Sequence, residues 1–99
     1  MNIYRVSFFG HRYVSDLCRI EEKLVALIRD LIKSREYVEF LVGRNGEFDQ
    51  AVSSTIRKVQ KTYRADKSSH ILVLPYVTAE LRDNREYFEE YYDEIEINS

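Results

Sequence analysis

Ninety-nine residues, 44% hydrophobic and 32% charged, with one proline and three glycines, are enough for one globular domain and exclude a disordered or low-complexity chain. A chain of this length buries only about 60–65% of its unfolded surface, so its core is small. The net charge of −2 hides an asymmetry: residues 1–79 carry 13 basic and 9 acidic side chains, residues 80–99 carry 2 and 8.

A body at +4 suits an anionic small molecule and falls short of the basic excess of a duplex-binding domain, so nucleic acid is not an expected partner. No run approaches the ~20 apolar residues of a membrane span. The opening Met1-Asn2-Ile3-Tyr4-Arg5-Val6 lacks the basic-then-apolar layout of a signal peptide, and a single cysteine, Cys18, allows no internal disulfide. The expectation is a cytoplasmic protein with no membrane partner.

Residues 3–9 mix Ile3, Tyr4, Val6, Phe8 and Phe9 with only Arg5 and Ser7 as polar interruptions, a first strand stopped by Gly10. From residue 16 to about 34, Leu17, Ile20, Leu24, Leu27, Ile28 and Leu31 recur at spacings of three and four, predicting a helix with one buried stripe and Ser15 or Asp16 as its cap. Residues 37–42 form a second strand, again stopped by glycine. Phe48, Val52, Ile56, Val59 and Tyr63 predict a second helix from 47 to about 64, with Arg57, Lys58, Lys61 and Arg64 on its exposed face. Ile71-Leu72-Val73-Leu74, closed by Pro75, reads as a strand buried on both sides. Residues 83–92 have helical propensity and carry Tyr87, Phe88, Tyr91 and Tyr92, and residues 94–97 alternate like an edge strand. Strand, helix, strand, helix, strand predicts a Rossmann-like α/β fold of three layers with a small, mainly parallel sheet and a single domain over 1–99.

All three glycines stand in the two strand-to-helix turns. In an open parallel sheet such turns emerge at the carboxyl edge, where ligands bind. At the first, Gly10 permits a sharp turn that leaves backbone N–H groups accessible, His11 is a donor, and Arg12 offers a fork matched to phosphate or carboxylate. At the second, Gly43 and Gly46 bracket Arg44 and Asn45 at the amino end of the second helix, a layout suited to an anion-binding nest. Glu47 and Asp49 follow in the first helical turn, where the helix dipole favours carboxylates with or without a ligand. The economical assignment has Asp49 accept from sugar hydroxyls while arginines and turn amides hold the anionic part. The stretch has neither a dinucleotide G-x-G-x-x-G nor the lysine and hydroxyl of a P-loop. Cys18 reads as packing, His70 as a solvated or backbone-bonded imidazole, and the tyrosine cluster as core or interface, with base stacking as the alternative. No metal-ligand spacing, catalytic residue or cofactor is expected.

Phe9-Gly10-His11-Arg12, Gly43-Arg44-Asn45-Gly46-Glu47-Phe48-Asp49 and Leu72-Val73-Leu74-Pro75-Tyr76, in this order across nearly the whole chain, resemble a short, largely uncharacterised bacterial branch of the SLOG superfamily. That superfamily includes cytokinin-activating phosphoribohydrolases and DNA-processing proteins of natural transformation. The resemblance implies a Rossmann-like domain that binds a nucleotide or nucleotide-derived ligand, with Gly10, His11, Arg12, Gly43, Gly46 and Asp49 at the ligand's lip. It implies no catalytic residue, because the Pro-Gly-Gly-x-Gly-Thr stretch of the phosphoribohydrolases has no counterpart. Relatives continue into an Arg-Asn-Arg motif and a further apolar strand, whereas this sequence reaches Ser99 first. In the family's usual strand order the first strand is then left as an edge. Three explanations are open: a truncated chain, a sheet completed by a partner chain as in a homo-oligomer, or the 94–97 strand covering that edge. Two other functions remain in play: a nucleoside-phosphate hydrolase using Glu47 or Asp49, and a protein-interaction module acting through residues 80–99.

Overall fold

The computed structural model describes residues 2–8, 17–44, 46–63 and 65–98. Four strands, β1 (Ile3–Ser7), β2 (Tyr37–Val42), β3 (Ser68–Leu74) and β4 (Glu94–Ile97), form one sheet in the order β1-β2-β3-β4, and every neighbouring pair is parallel. Helix α1 (Leu17–Ser34) connects β1 to β2, and α2 (Glu47–Thr62) connects β2 to β3 through a short 3-10 turn at Ala65–Lys67. Two short helices, α3 (Ala79–Asp83) and α4 (Arg85–Tyr91), carry the chain from β3 to β4. The structure is thus a Rossmann-like α/β domain. No described helix is long and apolar enough to cross a membrane.

Register explains which side chains form the core. Val38, Phe40 and Val42 of β2 are buried and stand beside Ser68, His70 and Leu72 of β3, while the alternate positions Tyr37, Glu39 and Leu41 are only half-buried. Against the first set pack Leu24, Ile28 and Ile32 of α1, Val52, Ile56 and Val59 of α2, Leu81 of α3, and Phe88 with Tyr92 at α4. All helices therefore lie on one face. This corrects the expected layering: the described residues form two layers rather than three. Consecutive parallel neighbours joined by crossovers of one hand put every connection on the same side, and a third layer needs the strand order to reverse.

The opposite face carries Ile3, Arg5 and Ser7, then Tyr37, Glu39 and Leu41, then Ser69, Ile71 and Val73, then Glu94 and Glu96. A parallel sheet is ordinarily covered on both sides. Here Arg5 donates through Nε to Glu39 at 3.0 Å and through Nη2 to Glu96 at 2.9 Å, tying β1 to β2 and to β4. Between these charges Ile71 is fully buried, although it belongs to no part of the helix-side core. Tyr37 Oη and Ser69 Oγ bond on the same face.

Other expectations shift in detail. Leu27 does not belong to the buried stripe of α1: it is 47% exposed, and Ile32 completes the stripe instead. Positions 20, 24, 28 and 32 run four apart, which keeps them on one side of the helix. Strand β3 begins at Ser68 rather than at His70, because Ser68 and Ser69 pair in register with Val38 and Glu39. β4 lies beside β3, so it does not cover the outer edge of β1. That edge has no strand partner among the described residues.

Candidate functional site

The strands end together, and the segment after β2 is where the sequence places the second turn. Gly46 has φ 96° and ψ −177°, a region essentially reserved for glycine, and it opens α2 without a side-chain cap. Glu47 and Asp49 occupy the first turn of α2, where carboxylates favour the positive end of the helix. Gly43 is tied to its neighbour more closely: a methyl group there would lie 2.9 Å from Asp49 Oδ2. Only glycine lets that carboxylate rest against the backbone. Gly43→Ala is expected to cost about 1 kcal/mol or less, since the far end of a side chain can yield, but to push the Asp49 carboxylate from its seat. Denaturation checks the first half, and a loss of several kcal/mol would mean that backbone has to move instead.

Arg44 is held from three sides. Its Nε and Nη2 reach Glu80 Oε1 at 2.9 Å, its Nη1 donates to Tyr92 Oη at 3.0 Å, and its guanidinium stacks on Phe88 at 4.5 Å. Burial alone would ease its proton off; the hydrogen bonds to Tyr92 and Glu80 outweigh that, and its pKa stands above the ordinary arginine value. Arg44 thus fastens the end of β2 to α3 and α4.

Gly43, Arg44 and Asp49 meet at one end of a cleft of about 350 Å³ between α2 and α4. Its α2 wall continues through Gln50, Ser53 and Ser54, and its far wall is Tyr87, Tyr91 and Tyr92. Ser53 is 2% exposed, yet its Oγ has no hydrogen-bond partner. Two residues on, Thr55 donates to the Ala51 carbonyl at 2.7 Å in the usual way for a helical hydroxyl. An orphaned buried hydroxyl costs about 1–3 kcal/mol, which a polar group entering the cleft recovers. The rings of Tyr87 and Tyr91 are near parallel, 19° apart with centroids at 5.9 Å, and Tyr87 is 54% exposed. Gly43 also borders a second hollow of about 310 Å³ at the strand ends, on the side of Arg5, Phe8 and Glu96.

Of the residues singled out in the sequence, the cleft gathers Gly43, Arg44 and Asp49, while Gly46 and Glu47 stand at the start of α2 outside its lining. Gly10, His11, Arg12 and Asn45 lie outside the described residues, as do Ser15, Asp16 and the side chain of Cys18. Sequence reasoning missed Gln50, Ser53 and Ser54. Their signal is the polar stripe 49/50, 53/54, 57/58, 61, which faces away from the apolar stripe of α2.

His70 departs from expectation most. It is 1% exposed, wedged against Tyr92 at 4.7 Å and Tyr91 at 5.7 Å, and neither ring nitrogen has a hydrogen-bond partner. Burial pushes its pKa down to about 4; the Asp93 carboxylate and the nearby Tyr91 carbonyl, which favours the charged form without reaching hydrogen-bond geometry, oppose that shift, and Arg57 adds to it. The imidazole is a neutral core ring because burial disfavours its charged form, and the Tyr91 carbonyl beside it accepts from Arg57 Nη1 at 2.8 Å. Among the described residues no group of His, Cys, Asp and Glu is placed to hold a metal ion. Compared with protein-family models, with curated proteins and with solved structures, the chain matches none.

Proposed function

We propose that this chain is a SLOG-like domain that binds the nucleoside part of a nucleotide-type ligand in the cleft between α2 and α4. The observation that carries the reading is the Ser53 hydroxyl, buried, unpartnered and lining a cleft that also holds a carboxylate and two near-parallel tyrosines. Asp49 is an acceptor for sugar hydroxyls, Ser53, Ser54 and Gln50 supply mixed donors and acceptors, and Tyr87 presents ring surface for a base. A phosphate is the wrong occupant for this end of the cleft. Asp49 would repel it, and Arg44 is already engaged by Glu80 and Tyr92.

The test is a thermal-shift and titration panel of nucleosides, mononucleotides, cyclic nucleotides and ADP-ribose. At least one is expected to raise the melting temperature, and Asp49→Asn is expected to weaken that ligand about tenfold, the effect of one hydrogen bond to a charged group. No shift from any of them at millimolar concentration overturns the reading.

A further inference from the structure

Beyond Ser54 the cleft opens into a second hollow of about 420 Å³, lined by Ser54, Arg57, Lys58, Lys61, Thr62 and Tyr91. Ser54 and Tyr91 belong to both spaces, so the two are one continuous groove along α2. Among the described residues the second hollow is lined by three cationic side chains and no carboxylate. Arg57 is fixed, its Nη1 on the Tyr91 carbonyl at 2.8 Å and its guanidinium 4.3 Å from the Tyr91 ring centre. Lys58 and Lys61 are exposed and form no ion pair among the described residues. The carboxylates on the adjoining side are Glu90 and Asp93, and Asp93 Oδ2 accepts from the His70 N–H at 2.7 Å and from Gln60 Nε2 at 3.1 Å.

The groove is therefore polar in the electrical sense: an acceptor at Asp49, aromatic surface in the middle, and at the other end a cluster of cations, of which Arg57 and Lys61 also border Glu90 and Asp93 on the adjoining side. We infer that the ligand is a nucleoside di- or triphosphate lying along α2, its sugar at Asp49 and its phosphate chain running past Ser54 to Lys58, Lys61 and Arg57. This rests on the nucleoside reading of the cleft and adds its direction and phosphate number. Lys58 and Lys61 lie about 13 and 18 Å along the helix from Asp49, and their side chains lean back toward its amino end, so a single phosphate on a sugar at Asp49 falls short of Lys61, while a chain of two or three comes within its reach. The Ser54 hydroxyl flanks the path as a further donor, whereas that of Thr62 already donates to the Lys58 carbonyl at 3.2 Å. Lysine suits this end because it binds phosphate as a point charge with three rotatable donors and tolerates a flexible chain.

Calorimetric titration of the whole chain with adenosine, AMP, ADP and ATP, and with the guanosine series in parallel, tests this. Affinity is expected to rise by about tenfold or more from nucleoside to diphosphate, and that rise is expected to shrink as salt goes from 50 to 200 mM. The double variant Lys58→Gln, Lys61→Gln changes exposed positions and keeps the fold, and it is expected to lose most of the gain in affinity from adenosine to ADP, Arg57 alone holding the remainder, while adenosine binding stays unchanged. Three results overturn the inference: equal affinity for adenosine and ADP in the unaltered chain, a phosphate dependence undiminished in the lysine variant, or an eight-nucleotide single strand binding more tightly than ATP. Failure of every nucleoside and nucleotide to bind defeats the underlying reading as well. Binding of adenosine without a gain from phosphates defeats only the inference.

Discussion

Replacing Phe88 with alanine is expected to lower the unfolding free energy by about 3–5 kcal/mol, a large share of the roughly 5–15 kcal/mol available to a domain of this size. The ring is 1% exposed and sits where α4 enters the core with Leu81, Tyr92, Leu72 and Leu74. Tyr87 and Tyr92 approach it at 6.0 Å, and the Arg44 guanidinium lies over it at 4.5 Å. Truncation removes the buried ring, leaves a cavity that a seven-residue helix cannot collapse without losing its seat, and takes away the surface on which Arg44 stacks. Urea denaturation should show a lower midpoint with an unchanged slope. Tyr87→Ala, one residue away in the same helix but 54% exposed, is the control and should cost no more than about 1 kcal/mol. Equal losses for the two variants would mean that α4 is not anchored through Phe88, and the far wall of the cleft would lose its physical basis.

That contrast between adjacent aromatics also measures what sequence could disclose. The tyrosine-rich segment was visible as a cluster, but its division into buried Phe88 and Tyr92 and cleft-facing Tyr87 and Tyr91 depends on how α4 docks against α2 and β3. Periodicity located β2 at 37–42 and α2 from 47 to the residues just before 64, because one face of each is apolar at the period of its element. It failed for the start of β3, where Ser68 and His70 occupy core-facing positions: Ser68 accepts from Gln60 Nε2 at 3.1 Å, and His70 is enclosed by tyrosines. It also failed for layering, since an element string of strand, helix, strand, helix, strand is the same for a sheet in order 1-2-3 and one in order 2-1-3. Of the turn residues, Gly43 and Asp49 line the cleft between α2 and α4. Arg44, however, looked like a free anion ligand, and only its contacts with Glu80, Tyr92 and Phe88 reveal a structural fastener.

Acidification from pH 6.5 to pH 4 is expected to remove about 3 kcal/mol of stability through His70 alone, each pH unit across the shifted interval being worth about 1.4 kcal/mol. In the folded protein the imidazole titrates at about 4, against 6.5 when solvated. Above pH 6.5 both states hold it neutral and the effect vanishes. Between 6.5 and 4 the unfolded chain takes up a proton that the folded one refuses, so stability falls as pH falls, and below 4 the loss is complete. The groups that face the ring set the size of the effect: burial against Tyr91 and Tyr92 dominates, the Asp93 carboxylate and the Tyr91 carbonyl oppose it, and Arg57 reinforces it. Denaturation curves for the unaltered chain and His70→Phe at pH 7, 5.5 and 4 isolate the effect, because every other ionisable group is common to both proteins. The difference in stability should move by about 3 kcal/mol in favour of phenylalanine on going to pH 4. A constant difference would mean that the imidazole reaches water or a partner as easily when folded as when unfolded. His70 lies beneath the residues that link α4 to β4, so the strain of charging it falls first on Tyr91 and Tyr92. The cleft wall and the stability of the domain therefore share one acid-sensitive support.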